Sequence, residues 1–273
     1  MEPFDTGALA GLLPQSVAPA TLAFVLAAAF GAGWIDAVVG GGGLVQLPAL
    51  LIGLPGASPA QLLATNKFGS IFGTATSSVT FYRRVRPDLR TALPMAGVAY
   101  VGSIGGALIG LHIPKSAFNP IILVLLVLVG AYTLFKPDLG KESIRRFHGA
   151  KHTVLAMLTG FTIGVYDGAL GPGTGSFLVF ALVGLLGYNF LEASAKAKIA
   201  NFATNLGALT VFLPMGLVLF KVGVVIAGFN LLGGYAGART AVAKGSGFVR
   251  AVFVVIVSAF IVKIGGSLLG WWP

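Results

Sequence analysis

Two short stretches place a carboxylate beside clustered glycines inside strongly apolar sequence. In "IDAVVGGGGLVQLPALL" (35–51), Asp36 precedes Gly40, Gly41, Gly42 and Gly43; in "YDGALGPGTGS" (166–176), Asp167 precedes Gly171, Gly173, Thr174, Gly175 and Ser176. Each is followed by a polar stripe on an apolar segment. In "ATNKFGSIFGTATSSVTF" (64–81), Asn66 and Lys67 open a series in which Lys67, Ser70, Thr74 and Ser77 or Ser78 share one helical face, and "AKAKIANFATNLGAL" (195–209) spaces Lys198, Asn201 and Asn205 the same way. Glycine lets a ligand approach the backbone, and a helix starting just after it aims free N–H groups and a positive dipole end back at the loop. With a lysine nearby, such a constellation binds a small anion. The two aspartates then serve as ion-pair partners, proton carriers or caps for the loop N–H groups.

Competing readings are specific. Glycines also permit close helix crossing, which is the preferred reading for "GGALIG" (105–110) and "GGYAGA" (233–238). Lys198, six residues after Glu192, can snorkel from a helix end. Paired carboxylates also suit hydrolytic acid–base chemistry, which makes a membrane-embedded enzyme using Asp36 and Asp167 the alternative from another class. No nucleophile, histidine partner or metal-ligand cluster accompanies them, and His148 and His152 read as solvated members of a basic loop. "GPGTGS" lacks the Lys-Ser/Thr ending of a phosphate loop. No cofactor or metal is expected.

The elements that position these residues must lie in a bilayer. A chain of 273 residues that is 56% hydrophobic and 10% charged cannot cover a globular surface with polar groups. Apolar runs fall at about 20–52, 61–82, 92–111, 118–136, 153–187, 192–220, 222–238 and 249–270, each near or above the roughly 20 residues of a span. The expectation is an all-α polytopic membrane protein with eight spans, or up to ten segments if half-helices are counted. Glu2 and Asp5 precede the first run and no Lys or Arg occurs before Lys67, so a cleaved signal peptide is not expected. The absence of cysteine excludes disulfides and thiolate metal sites. The net charge of +10 reflects lysine and arginine gathered at 83–90, 136–152 and 239–250, the mark of cytoplasmic loops rather than of nucleic-acid binding.

Displaced by 131 residues, Asp36 falls on Asp167, Gly40 on Gly171, Gly42 on Gly173, Lys67 on Lys198 and Phe81 on Phe212. The chain therefore reads as a single membrane domain of two repeats, about 20–135 and 153–270, joined by the basic loop 136–152. If each glycine-broken run forms a hairpin of short helices, both termini lie outside and all three basic loops inside, so the repeats are inverted. If each run crosses once, the repeats are parallel and 239–250 lies outside. The charge distribution favours the inverted arrangement.

The motifs "WIDAVVGGGGLVQLPALL", "ATNKFGSIFG" with "FYRR", "YDGALGPGTGSF", "AKIANFATNLGAL" and "GGYAGARTAVAKG" resemble the TauE/SafE family of sulfite and organosulfonate exporters, also called TSUP, over nearly the whole chain. The resemblance implies a bacterial inner-membrane transporter exporting small sulfur-containing anions, with the glycine loops and the residues around Asn66, Lys67, Lys198 and Asn201 along the pathway. Where the first repeat reads "TNK" the second reads "KAK", so the half-sites differ. With no ATP-binding motif, the energy is expected from an ion gradient, with protons as a candidate coupling ion, from the membrane potential or from the substrate gradient. An uptake permease for another small anion, such as a carboxylate, is the other transporter reading.

Overall fold

The computed structural model describes residues 19–112, 124, 127, 140 and 142–271. The apolar run 118–136 apart from 124 and 127, Lys115, the acidic residues before the first run and part of the basic stretch 136–152 lie outside the described residues. Within them the regular structure is helical. In chain order it comprises α1 (Pro19–Val39), α2 (Gly42–Gly53), α3 (Pro59–Val85), α4 (Leu89–Gly110), α5 (Gly149–Ala169), α6 (Thr174–Ala181) with a π-helical turn at Leu182–Leu186, α7 (Phe190–Phe212) and α8 (Phe220–Leu268). Among the described residues, Leu89–Gly110 and Phe220–Ser267 are by length and composition suited to crossing a bilayer, with shorter apolar helices at Ala23–Val39, Gly42–Gly53 and Thr174–Leu186.

Local signals explain the starts. Pro59 opens α3 behind a capping box in which the Ser58 hydroxyl accepts from Gln61 N–H and the Gln61 side chain accepts from Ser58 N–H. Asp88 caps α4 by accepting from Arg90 N–H and the Thr91 hydroxyl. Burial works against that carboxylate, but the two donors together with the positive charges of Lys196 and Arg145 outweigh it and hold Asp88 below the usual carboxylate range. Asn189 caps α7 through Glu192 N–H.

Two helix pairs cross at van der Waals contact of their backbones. A Cβ at Gly106 of α4 would lie 2.0 Å from Val165 O of α5, and one at Gly168 of α5 would lie 2.1 Å from Ser103 O of α4. A Cβ at Gly233 of α8 would lie 2.1 Å from Phe30 O of α1. Gly106 and Gly110 of GGALIG and the three glycines of GGYAGA are thus crossing residues, while Gly105 faces open space. The expected loop at 239–250 is corrected: α8 runs on through Arg239 to Lys244, and its one non-helical residue is Gly245, at φ 75° and ψ −173°. Ala241 and Ala243 are strong helix formers, so the charges there decorate a helix instead of breaking it.

Candidate functional site

The site forms where α1 and α5 end. α1 stops at Val39, and Gly40, at φ 84°, turns its N–H back to Ile35 O and Asp36 O before α2 begins at Gly42. After α5, Leu170 N–H returns to Tyr166 O, Gly171 takes φ 88°, and α6 begins at Thr174. Both following helices thus begin inside the glycine clusters rather than after them. Neither the Gly41 nor the Gly173 cap position carries a side-chain cap.

The two breaks lie on each other. A Cβ at Gly40 would be 2.1 Å from the Gly175 carbonyl carbon, and Ser176 N–H donates to Gly40 O at 3.2 Å. The Ser176 hydroxyl donates to Val39 O, and the Thr174 hydroxyl lies within hydrogen-bond distance of Asp167 Oδ1 (2.6 Å) and Gly171 O (2.8 Å). Gly40, Gly175, Thr174 and Ser176, expected to face an anion, are thus taken up in holding the loops together. Gly42 is likewise close-packed, its Cβ position 2.5 Å from Ala32 O. Gly43 is different: its neighbours are Pro172 and the Asn66 amide, at 3.4 and 3.8 Å from a built Cβ.

Each lysine meets the aspartate of the other break. Lys67 Nζ on α3 lies 2.5 Å from Asp167 Oδ1 on α5, both essentially buried at 2% and 1% exposure. Lys198 on α7 donates to Asp36 O, and its Nζ lies 3.3 Å from Asp36 Oδ2, with Lys198 at 0% exposure and Asp36 at 14%. The lysines thus neutralise a carboxylate and also face the negative C-terminal ends of α1 and α5. Lys198 does not snorkel; its ammonium is enclosed with Asp36, which corrects that reading. Asn201 Nδ2 lies 3.5 Å from Asp36 Oδ1. Asn205 reaches across to the Thr74 hydroxyl at 3.4 Å, and that hydroxyl lies 3.0 Å from both Ser70 O and Ile71 O of its own helix. Ser70 is half-buried. Asn66 is buried and its Oδ1 has no partner, as is true of Asp167 Oδ2.

Several residues that shape the site escaped the sequence reading. Tyr166 donates to Pro172 O at 2.5 Å, pinning the second glycine break. Gln46 of α2 accepts from Asn230 of α8 at 2.6 Å, both side chains buried. A lone amide in each apolar run was their only signal. His152 is corrected from solvated to buried: its Nε2 and the Tyr188 hydroxyl share a 2.7 Å hydrogen bond, and Lys196 Nζ sits 4.2 Å above the Tyr188 ring. Burial pushes the Tyr188 phenol up, so it stays protonated. His148 is exposed.

Comparison with known proteins follows the same line. The family model for the sulfite exporter TauE/SafE matches residues 25–264. The chain is similar to a probable membrane transporter protein, ORF9, of Sinorhizobium sp, at 37% identity over 251 residues that cover 92% of this chain and 94% of that protein. It is similar to YfcA of Escherichia coli K12, also a probable membrane transporter protein, at 34% identity with 93% and 95% covered. A probable membrane transporter protein of Haemophilus influenzae is 37% identical, with 86% and 91% covered. No solved structure matches. A match over so much of the chain, on helices arranged around the Lys67–Asp167 and Lys198–Asp36 charge pairs, means that this protein is a membrane transporter belonging to the TauE/SafE family.

Proposed function

We propose that the protein is a secondary transporter exporting small oxyanions, sulfite or organosulfonates, across a bacterial inner membrane. The observation that carries this reading is the pair of enclosed lysines, Lys67 and Lys198, each at the end of a glycine-broken helix. A buried ammonium is costly in a bilayer and is kept where an ion pathway needs it, and broken helices occur at membrane depth only where protein or a water-filled path satisfies them. Asn66, Lys67, Gly43 and the uncapped first turn of α2 form one anion locus; Lys198 and Asn201 form its counterpart. Ser70, Thr74 and Asn205 line the way between. Asp36 and Asp167 are the candidate proton carriers.

Two repeats, 20–135 and 153–270, are part of this proposal. α1 and α5, α2 and α6, α3 and α7, and α4 and the first part of α8 begin within two residues of a constant 131-residue displacement, which supports it. The inverted arrangement with eight spans puts the positions 83–90, 136–152 and 239–250 in the cytoplasm. Single cysteines placed at Arg86, Arg146 and Lys244 of the cysteine-free chain are expected to resist an impermeant thiol reagent in whole cells and to react after permeabilisation. Labelling of Lys244→Cys from outside sinks the inverted arrangement.

Purified protein in liposomes tests the function. A flux screen over sulfite, sulfate, taurine, sulfoacetate and simple carboxylates is expected to give net movement of a sulfur oxyanion without chemical change. Carboxylate flux alone makes the protein a permease of another class, and turnover without flux makes it an enzyme. Asp36→Asn and Asp167→Asn are expected to lose pH-gradient-driven flux while keeping substrate exchange; unchanged gradient-driven flux in both removes proton coupling from these sites.

A further inference from the structure

A second basic feature lies away from the charge pairs. α3 and α8 meet where a Cβ at Gly234 would lie 2.6 Å from Gly73 O. Beyond that contact they border a groove of about 430 Å³ lined by Ala75, Thr76, Val79, Thr80, Arg83 and Arg84 of α3 and by Tyr235 and Arg239 of α8. Residues 76, 79, 80 and 83 follow i, i+3, i+4 and i+7 spacing, on a face rotated away from Lys67, Thr74 and Ser77. The groove therefore faces outward from the transport pathway. Its polar end holds three arginines and no acidic residue, and among the described residues no salt bridge involves any of them. Arg239 Nη1 donates to the Tyr235 hydroxyl at 3.0 Å and its guanidinium lies 5.5 Å from that ring's centroid, which orients the head group. The other end is apolar: Val79 is exposed, and Leu231 and Leu232, one turn before Tyr235, are exposed as well.

We infer that this groove binds the head group of an anionic phospholipid, its phosphate held by Arg83, Arg84 and Arg239 and an acyl chain lying along Val79 and Leu231. Guanidinium pairs take phosphate oxygens in bidentate fashion, and basic pockets between membrane helices select acidic lipids. The Thr76 and Thr80 hydroxyls donate to Phe72 O and Thr76 O of their own helix, so the positive charge that meets the phosphate comes from the arginines, with the Tyr235 hydroxyl beside Arg239. The inference rests on the membrane setting and is independent of which anion is carried.

The full chain in neutral detergent provides the test, read by thermal unfolding and by native mass spectrometry of bound lipid. Phosphatidylglycerol is expected to raise the melting temperature and to remain bound, whereas phosphatidylcholine and glycerol 3-phosphate do neither. In Arg83→Gln/Arg84→Gln/Arg239→Gln, phosphatidylglycerol affinity is expected to fall at least about tenfold, with the melting temperature in phosphatidylcholine unchanged. If that variant does not purify, Arg83→Gln and Arg239→Gln are each expected to lose about threefold. Equal stabilisation by phosphatidylcholine, full stabilisation by glycerol 3-phosphate, or native affinity in the variants overturns the proposal.

Discussion

Replacing Lys67 with glutamine is expected to destabilise the folded protein by about 3–5 kcal/mol, the scale for breaking a buried ion pair from one side. The Asp167 carboxylate would keep the Thr174 hydroxyl on Oδ1 but nothing on Oδ2, at 1% exposure. Adding Asp167→Asn removes the stranded charge, so Lys67→Gln/Asp167→Asn is expected to recover most of the melting temperature in detergent. Anion affinity is not expected to recover. It stays about tenfold to a hundredfold weaker, because the charge that replaces lost hydration is gone, at roughly 1.4 kcal/mol per factor of ten. Lys67→Arg keeps charge with another shape and is expected to retain part of the binding. Calorimetry on the stable double variant separates folding from binding: native affinity there means the anion does not use Lys67. Lys198→Gln is expected to cost less stability, because Asp36, at 14% exposure, is less completely enclosed than Asp167.

The second large effect is a single methyl group. Gly40→Ala puts a Cβ 2.1 Å from Gly175 C and 2.4 Å from Ser176 N, at φ 84°. The left-handed backbone alone costs an alanine about 1–2 kcal/mol. Both neighbours are backbone atoms, so no side-chain rotation relieves the overlap, and a total above about 4 kcal/mol falls in the rare, severe class. Little monodisperse protein is expected. Gly56→Ala, with nothing within 4 Å of its Cβ position, is the matched control and is expected to behave as the native chain. Gly43→Ala meets only ordinary contacts; it is expected to fold and to lose anion affinity beside Asn66. Equal folded yields for Gly40→Ala and Gly56→Ala refute the packed-loop account.

Much of this site was legible because charge in an apolar run is conspicuous. Asp36, Lys67, Asp167 and Lys198 needed no structure to be singled out, and the glycine breaks marked the ends of α1 and α5. Which lysine meets which aspartate was not legible: Lys67 is nearer in sequence to Asp36, yet its contact is Asp167. Hydroxyl roles were hidden for a related reason. Thr174 and Ser176 look like free donors in the string, but the Thr174 hydroxyl lies against Asp167 Oδ1 and Gly171 O, and the Ser176 hydroxyl donates to Val39 O. His152 was misread because its partner, Tyr188, is 36 positions away. The helix through 239–244 was missed because basic residues mark sidedness in a membrane chain without marking loops.

The crossed ion pairs make the resting site an occupied one. On the proposed reading Asp167 fills the place beside Lys67 that an incoming anion would take, so binding would be an exchange of one carboxylate for one substrate group. The ammonium need not pass through an unpartnered state. Only the difference between the two contacts would then count toward affinity, which would favour a loosely held cargo and quick release. In such a site the protein's own carboxylate would act as a tethered competitor, always present at high local concentration and displaced by each anion that binds Lys67.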